Sequence, residues 1–535
     1  TSASDSIDVS LYESPAAIIR YFKDLKANEV HLLDFNNGKK IDKKLDYLSD
    51  TKKVDFKQND LFKFSHNENN FVDFNKERLL IEMQSNEGPS IAVSDLNNDG
   101  YDDFFVTGAK NQSSSLFIYE SDTYKEYTSP FNEYSKSEDV EAYFFDSDND
   151  GDQDLYVGSG GKAFSKYDQL LNDRFYINNG QNNFEYSNKS FVFEKPFTTG
   201  SIDVSDYDND GDLDVFVGER FNQNIYGLPV SGHLFKNIGD NNFIEEKSKS
   251  FDKLGLITDA KWVDLNDDKL MDLVIVGEWM PITILINNGK GFDNKTSSYN
   301  LNKTNGLWKA IEVIDLNNDG LLDFVVANSG KNSFYKPGMK IFINDFDSNG
   351  TVEQIICEKV DDKYFPILDK DELLSQIPAL KKKLFYYKDY SKFSMDDIFG
   401  NEILNNCISR ELNELDSSIF LNSSKGFIKT PLPYEINYSS VYDIEILSQK
   451  SNITKVLFGG NQSKVKPQFG KYDASNGWLV ELVNNNSELK SNTPINLNIE
   501  GEIRKFTKFE FGKIKMFLAG INNKEIECYE INWNY

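Results

Sequence analysis

Cysteine, histidine, positive charge and long apolar runs are all scarce in this chain of 535 residues. The three cysteines, Cys357, Cys407 and Cys528, lie far apart without a CxxC pair, which excludes zinc and redox motifs of that type. No run approaches the roughly 18 apolar residues that a membrane span requires. Lys and Arg number 58 against 86 Asp and Glu, and the net charge of −28 argues against nucleic acid or anionic lipid as a partner.

Aspartate is abundant, and it is arranged in a pattern. Five times an Asp-x-(Asp/Asn)-x-Asp loop is followed by a further Asp four residues on, between two short apolar runs. Alternate side-chain oxygens of such a loop converge on one point, and a glycine at the sixth position permits the turn, so the pattern is typical of a calcium site. The predicted ligands, which include the seventh residue of each loop, are Asp95, Asn97, Asp99, Tyr101 and Asp103; Asp146, Asp148, Asp150, Asp152 and Asp154; Asp206, Asp208, Asp210, Asp212 and Asp214; Asp264, Asn266, Asp268, Leu270 and Asp272; and Asp315, Asn317, Asp319, Leu321 and Asp323.

The loops recur at intervals of 51, 60, 58 and 51 residues, which indicates an array of supersecondary units. Each unit contains several β-rich runs, which predicts a four-stranded antiparallel sheet, the size of a propeller blade. Two more runs without a loop, around Gly459 and Gly520, bring the count to seven. The predicted fold is an all-β, seven-bladed β-propeller with calcium-binding loops.

One long interval, between the fifth and sixth units, is explained by residues 345–415. Apolar residues there recur at helical spacing in 369–380 and 401–412, which predicts a mainly helical insertion in blade five. The last blade lacks a fourth strand, and the run from Leu61 to Phe74 is predicted to supply it, so that the sheet edges are covered. We expect the propeller to occupy 56–535 and residues 1–55 to be the tail of a preceding module or a linker.

The chain starts Thr-Ser-Ala-Ser-Asp without a signal peptide, which we read as a mature or cut end. Short calcium loops fill where the ion is abundant, so export is expected.

The loops, the glycine-marked second strands and the Asn-Asn-Gly turns at 178–180 and 287–289 resemble the FG-GAP/VCBS repeat family of calcium-binding propellers. Longer segments at 68–75, 277–283, 344–350 and 469–475 resemble the C-terminal half of large bacterial exported VCBS-repeat proteins with an ASPIC/UnbV-type module. This resemblance implies about five Ca²⁺ ions and a place outside a Gram-negative cell or on its outer-membrane surface, as a lipoprotein.

Three positions depart from the regular pattern. Lys269 takes the glycine position of the fourth loop, where a positive φ is unfavourable for a residue with a Cβ, so a weaker site is expected. Blade six has no Asp loop and should be free of metal. A possible sixth site is formed by Asp345, Asp347, Asn349 and Glu353, and an Asx turn without an ion explains the same residues.

We interpret the loops as scaffold, because a signalling ion needs few sites. Ligand binding is then expected on the opposite rim, at the connections between second and third strands. Exposed aromatic and basic side chains there would bind a glycan or another surface protein, and the same aromatic residues could instead pack the loops. The candidate residues are Arg220, Tyr226, Trp279, Phe334, Lys336 and Tyr472.

Two other functions stay open. An architectural subunit of an outer-membrane complex could use the insertion as its contact, since the run Lys381-Lys-Lys-Leu-Phe-Tyr-Tyr-Lys is basic and aromatic in an acidic chain. A propeller-type polysaccharide lyase could use Arg220, Tyr226 and His233, which fall within fourteen residues. We predict a protein without catalytic activity.

Overall fold

A computed structural model describes residues 56–531, except Gln181 and 486–487, together with 6–13, 18–26, 31 and 39–41. The chain divides into two units, Thr1–Val54 and Asp55–Tyr535. In the first unit, β1 (Ser6–Glu13), β2 (Ile18–Lys26) and β3 (Lys39–Ile41) form one antiparallel sheet in that order. Within the described residues, no helix has the length and apolar character needed to cross a membrane.

The second unit is built from antiparallel sheets, which confirms the all-β prediction. Sheets 1 to 4 follow one another along the chain, each with its strands in sequence order. Their strands, after a first short strand β4 (Lys57–Gln58), are β5 (Ile91–Ser94), β6 (Asp103–Val106), β7 (Ser115–Glu120) and β8 (Thr123–Tyr127) in sheet 1; β9 (Asp139–Phe145), β10 (Asp154–Ser159), β11 (Arg174–Asn178) and β12 (Phe184–Ser187) in sheet 2; β13 (Thr199–Ser205), β14 (Asp214–Glu219), β15 (Gly232–Asn237) and β16 (Phe243–Glu246) in sheet 3; and β17 (Leu256–Val263), β18 (Asp272–Met280), β19 (Thr283–Asn287) and β20 (Phe292–Asn294) in sheet 4, where β21 (Gly306–Leu307) also pairs with β18.

Sheets 5 to 7 have the same four-stranded pattern with one difference each. Sheet 5 has a long insertion between its second and third strands, sheet 6 has an extra short strand, and sheet 7 takes its fourth strand from an earlier part of the chain. Sheet 5 contains β22 (Ile311–Ile314), β23 (Asp323–Val326), β28 (Ser418–Leu421) and β29 (Ile428–Pro431); sheet 6 contains β30 (Val441–Lys450), β31 (Ile453–Gly460), β32 (Trp478–Asn485) and β33 (Glu488–Ser491), with β34 (Ile495–Asn496) beside β32; and sheet 7 contains β35 (Glu502–Phe511), β36 (Ile514–Asn522) and β37 (Glu527–Glu530). The fourth strand of sheet 7 is β4.

The N-terminal segment of the second unit thus completes the last sheet, but through different residues than predicted. β4 pairs with β37, with Tyr529 opposite Gln58, and the chain then runs along β37 as far as an isolated bridge between Ser65 and Glu525. Phe71–Phe74 forms no strand, and Asp73–Asn75 is a 3-10 helix. The predicted run 61–74 is therefore confirmed only in part: the carbonyl of Phe64 accepts from the N–H of Ile526 at 3.0 Å, and the side chains of Phe62 and Phe64 pack between sheets 7 and 1, whereas the run beyond His66 does not pair with β37.

The inserted segment between β23 and β28 also differs from the prediction of a mainly helical insertion. It contains a sheet of β24 (Lys340–Asn344), β25 (Glu353–Val360), β26 (Lys363–Pro366) and β27 (Ile408–Glu411), and the short helices α1 (Lys370–Gln376), α2 (Tyr387–Tyr390), α3 (Met395–Phe399) and α4 (Asn401–Asn405). The predicted helical stretch 401–412 is confirmed only as far as Asn405, and its second half is wrong: Ile408 pairs with Ile343 across a long sequence separation. Such non-local pairing leaves little signal in local periodicity.

The described 3-10 helices are short connectors: Asp73–Asn75, Phe131–Tyr134, Gln169–Leu171, Lys249–Phe251, Pro378–Lys382, Tyr434–Tyr438 and Pro467–Phe469.

Apolar layers lie between neighbouring sheets. One layer joins Phe105 of β6 to Leu155 of β10, and another joins Val274 of β18 to Phe324 of β23. The second strand of each sheet is buried on both faces, as β6, β10, β14, β18 and β23 show. The first strands contact one another in the order β5, β9, β13, β17, β22, β30 and β35, and β35 contacts β5.

Candidate metal-binding loops and the opposite end of the sheets

The five Asp loops connect the first to the second strands of sheets 1 to 5, and they share one backbone conformation. The fourth residue of every loop has a positive φ, from 56° at Asn318 to 62° at Asn149. The sixth residue does as well, with 83° at Gly100 and 70° at Lys269. Asn and Gly tolerate this region best, so the loop sequence itself specifies the turn.

The first aspartate of each loop organises the turn. In the first loop, the N–H groups of Asp99 and Gly100 donate to Asp95 Oδ1 and Oδ2 at 3.1 and 3.0 Å. The N–H of the seventh residue, Tyr101, donates to Asp99 Oδ1 at 2.9 Å. The same bonds recur around Asp206, Asp264 and Asp315. The carboxylates are therefore held in place by local hydrogen bonds.

The closing carboxylate is buried and ties the loop to the third strand. Asp103 accepts hydrogen bonds from the N–H of Leu96 at 3.1 Å and of Tyr119 at 2.7 Å, and the equivalents Asp154, Asp214, Asp272 and Asp323 are bound in the same way. Burial raises the pKa of Asp103 and Asp214 to about 7, and that of Asp154, Asp272 and Asp323 to about 6.

Three clusters of acidic residues are each compact enough to hold one ion. In each group, one oxygen per residue lies within 4.8 Å of the others: Asp146, Asp148 and Asp150; Asp206, Asp208 and Asp210; and Asp345, Asp347 and Glu353. Asp146 Oδ1 and Asp347 Oδ1 are buried and have no hydrogen-bond partner. Clustered carboxylate oxygens are the donor set that Ca²⁺ prefers, and an unpartnered buried oxygen is costly without a cation. The residues present therefore fit calcium.

A lysine distinguishes each of loops 3 and 4 from the others: Lys236 contacts loop 3 from a neighbouring strand, and Lys269 lies within loop 4. Lys236 of β15 contacts Asp208, and its Nζ lies 3.0 Å from Asp210 Oδ2. Lys269 occupies the left-handed conformation that glycine has elsewhere, as predicted for this position. The two loops also touch, since Asn209 Nδ2 donates to the carbonyl of Lys269 at 3.1 Å.

The sixth candidate loop, between β24 and β25, has the geometry of the other five. Asn349 and Gly350 donate their N–H groups to Asp345 at 3.0 and 2.8 Å, and the N–H of Phe346 donates to Glu353 at 3.2 Å. In sheet 6, by contrast, β30 and β31 are joined by Ser451 and Asn452 alone.

The candidate ligand residues at the other end of the sheets are mostly buried, so the expected exposed aromatic rim is wrong. Arg220, Tyr226, Trp279 and Tyr472 are all at most 2% exposed, and Phe334 is half-buried. Lys336 alone among the six is exposed, and its Nζ lies 2.6 Å from Glu358 Oε1. The physical reason is that another part of the chain covers them.

That cover is residues 65–88, which we call the plug segment. It contacts the connections between second and third strands. Because consecutive strands are antiparallel, these connections lie at the ends of the sheets opposite the Asp loops. Its hydrogen bonds join His66 to Lys524, Asn67 to Gln112, Glu77 to Lys162, Met83 to Lys464, and Glu87 to Arg220. It also reaches the insertion, where Gln354 Nε2 donates to Glu77 Oε2 at 3.0 Å.

A network of buried charges lies beneath the plug segment. Arg220 Nε is 2.6 Å from Glu87 Oε1, and its Nη2 is 2.9 Å from Glu278 Oε1. Lys309 also contacts Glu278, and Tyr226 donates its hydroxyl to Glu278 Oε2 at 2.6 Å. Burial alone would raise the pKa of Glu278, but Arg220 and Lys309 lower it to about 2. Glu278 is therefore a fully buried anion held by two cations.

Sequence reasoning missed Glu278, Glu87 and Lys309. One signal was available: Glu278 is the only charged residue within Leu273–Met280, and β18 is buried along its whole length. A charge inside such a strand needs a partner. The partners lie far away in sequence, and they cannot be read from spacing.

The three residues predicted for a lyase site do not come together around one partner. Arg220 and Tyr226 meet at Glu278, whereas His233 Nε2 and Nδ1 lie 2.8 and 2.7 Å from Glu219 and Glu245. Burial lowers the pKa of His233, but the hydrogen bonds to the two carboxylates outweigh it and raise the pKa to about 9. Its ring is stacked on Phe197.

The first strands of the seven sheets line a cavity of about 360 Å³. Its carboxylates link neighbouring sheets: the N–H of Trp262 donates to Asp203 at 2.6 Å, that of Ile311 to Asp259 at 2.9 Å, and that of Phe506 to Asp443 at 2.6 Å. These bonds give the polar lining a structural role between sheets.

Comparison with known proteins identifies the repeated unit. The FG-GAP-like repeat family matches residues 95–157, 146–217 and 264–326, each of which begins at the first aspartate of a loop. Similar solved structures are YCF48 from Cyanidioschyzon merolae (6% identity, TM-score 0.39, 84% of this chain and 97% of that chain), the V. cholerae biofilm matrix protein Bap1 (10%, 0.34, 90% and 92%) and BBS1N in complex with ARL6DN (10%, 0.27, 74% and 92%). These TM-scores are too low to bear on function. No curated protein matches the chain significantly.

Proposed function

We propose that this chain, which carries FG-GAP-like repeats, is a calcium-stabilised seven-bladed β-propeller that acts as a scaffold and binding module without catalysis. Seven four-stranded sheets whose first strands contact in cyclic order support the propeller arrangement. In this proposal sheets 1 to 5 each hold one Ca²⁺, and the insertion loop holds a sixth.

The observation that carries the calcium proposal is the convergence of carboxylates with unpartnered buried oxygens at Asp146 and Asp347. Like charges at this separation repel one another unless a cation lies between them. A bound Ca²⁺ would offset that repulsion and join the first three strands of a sheet, because the closing carboxylate is already bound to the third strand. The ion thus has a stabilising role.

Such loops bind calcium at the concentrations found outside cells, about 10⁻⁴ to 10⁻³ M, which supports an exported protein at a cell surface. Non-catalytic function is favoured because His233 is engaged by two glutamates and lies apart from the Arg220 and Tyr226 contact at Glu278.

The plug segment removes most of the predicted rim from solvent, so a glycan or protein partner has to use other surfaces. A second candidate role, an architectural subunit of a larger surface complex, is favoured by the insertion, where Phe385, Tyr386 and Tyr387 are exposed.

Thermal unfolding tests the calcium proposal. In excess Ca²⁺ we expect the midpoint to lie on the order of 10 °C above that in a calcium chelator, with little effect of Mg²⁺, because a linked ion stabilises only the folded state. Equilibrium dialysis should find five or six ions per chain. An unchanged midpoint together with no bound calcium would refute the proposal.

A further inference from the structure

Three consecutive large aromatic side chains are exposed on the insertion. Phe385 is 71%, Tyr386 55% and Tyr387 53% exposed, although large aromatic side chains such as Phe104 and Trp279 are fully buried elsewhere in the described chain. A contiguous exposed aromatic group on a folded protein marks an interaction surface more often than an accident of packing. These residues belong to 381–388, which we call the basic aromatic segment.

The segment is held firmly on both sides. Leu384 is fully buried in the apolar core of the insertion, with Leu380 and Ile398. Beyond the aromatic residues, Tyr390 donates its hydroxyl to the carbonyl of Leu368 at 2.6 Å, and Tyr387 donates its own to Asp371 Oδ2 at 2.7 Å. The exposed rings are therefore presented from an anchored backbone, which lowers the entropy lost on binding.

The charge of the segment is opposite to that of the chain. Residues 381–392 contain five lysines and one aspartate, a net +4, in a protein of net charge −28. Lys381, Lys382 and Lys388 are exposed, and Lys388 Nζ lies 5.2 Å from the centre of the Tyr386 ring. One of these positive charges, that of Lys388, therefore lies directly beside the aromatic group.

We propose that the basic aromatic segment docks an acidic segment of a partner protein. Carboxylates of the partner would pair with Lys381, Lys382 and Lys388, and its apolar side chains would cover Phe385 and Tyr386. A polypeptide fits better than an anionic lipid surface, because a membrane would also meet the remaining, strongly acidic protein, whereas a peptide approaches only this patch within a Debye length of about 10 Å. The inference rests on the proposed scaffold role and gives it a contact surface.

The test uses the full chain in calcium and a labelled peptide that alternates glutamate with leucine and phenylalanine. Its counterpart has lysine in place of glutamate. We expect the acidic peptide alone to bind, and binding to weaken with salt. The triple variant K381E/K382E/K388E should abolish binding, and F385S/Y386S should weaken it by about tenfold or more. The matched control is Y434S/Y438S, since Tyr434 and Tyr438 are also exposed and in mutual contact, on a 3-10 helix outside the insertion.

All three variants change exposed side chains, so their melting midpoints should equal that of the unchanged protein. A loss of binding at an equal midpoint is then due to the altered surface and not to unfolding. Equal binding of the two peptides, or equal binding by the Phe385 and control variants, would overturn the proposal. So would capture by phosphatidylglycerol vesicles without peptide binding, or an effect of the variants on self-association alone. The chelator experiment is independent of these outcomes, because it measures the Asp loops and not the insertion.

Discussion

The two ends of the sheets handle buried negative charge in opposite ways. At the loop end, the clustered carboxylates come from residues within about ten positions of one another in the sequence. At the plug end, Glu278 and Glu87 are neutralised by the chain's own cations, Arg220 and Lys309. Under the calcium proposal one end depends on an ion from solution, whereas the other depends on distant parts of the same chain. Stability at the two ends should respond to different perturbations.

The largest effect is expected from Arg220→Ala at the plug end. It leaves Glu278 and Glu87 buried with fewer partners, which should destabilise the protein by about 3–5 kcal/mol, with or without calcium. Chemical denaturation in calcium and in chelator measures this. Lys336→Ala is the control, because its ion pair is exposed and should contribute less than about 1 kcal/mol. A loss seen only in calcium would break the distinction between the ends.

At the loop end, the effect of the double variant D146N/D148N on stability should change sign between calcium and chelator. At a calcium concentration about a hundred times Kd, loss of one site removes roughly 2.7 kcal/mol of linked stability. In chelator the same variant should be more stable than the unchanged protein, because two repelling charges are gone. The control D473N/E500Q alters exposed acids outside the loops and should shift neither curve. Destabilisation of equal size in both conditions would contradict an ion-dependent end.

His233 offers a pH test away from the loops. Its folded pKa of about 9 lies above its ordinary value of 6.5, so its contribution is complete below pH 6.5 and is lost as pH rises through 9. The facing charges are Glu219, Glu245 and Lys195, which lies 3.6 Å from Glu219. We expect H233Q to remove about 2 kcal/mol of stability near pH 6 and much less near pH 9.5. Parallel pH profiles of the two proteins would exclude this histidine as the cause.

The smallest effect is expected at Lys269. Lys269→Gly relieves a left-handed conformation and should stabilise the protein by about 0.5–1 kcal/mol after the added flexibility of the unfolded chain is counted. Titration calorimetry should show tighter calcium binding at one site. Gly320→Lys in the fifth loop is the reciprocal control and should weaken one site. If both substitutions leave calcium binding unchanged, the sixth position does not set affinity.

Local structure was predictable where hydrogen bonds are local. The turn around Asp95 uses N–H donors four and five residues away, and the second strand follows directly. The loop, the strand and their repetition can therefore be predicted from residues that are close in sequence. For the same reason the FG-GAP-like repeat family matches three stretches that each begin at such a loop. The insertion sheet escaped prediction because Phe342 pairs with Ser409, and short helices between them dominate the periodicity.

The rim was misjudged for a related reason. Tyr226 lies on the connection after β14 and Trp279 near the end of β18, where a single sheet would expose both, and only their contacts with one another and with Glu278 show that they are enclosed. The insertion run differs, since its basic and aromatic composition was interpreted as a contact surface, and Phe385 in that run is exposed.

By itself the sequence determined the Asp loops, the repeating sheets and the acidic character of the protein, because each depends on residue type and on neighbours within about ten positions. Only the tertiary structure decided that the plug segment covers the ends of the sheets opposite the Asp loops. Residues 65–88 precede sheets 1 to 6 in sequence, yet Glu87 meets Arg220 133 positions later. A buried charge chooses its partner by proximity in space, and that proximity exists only once the sheets have packed.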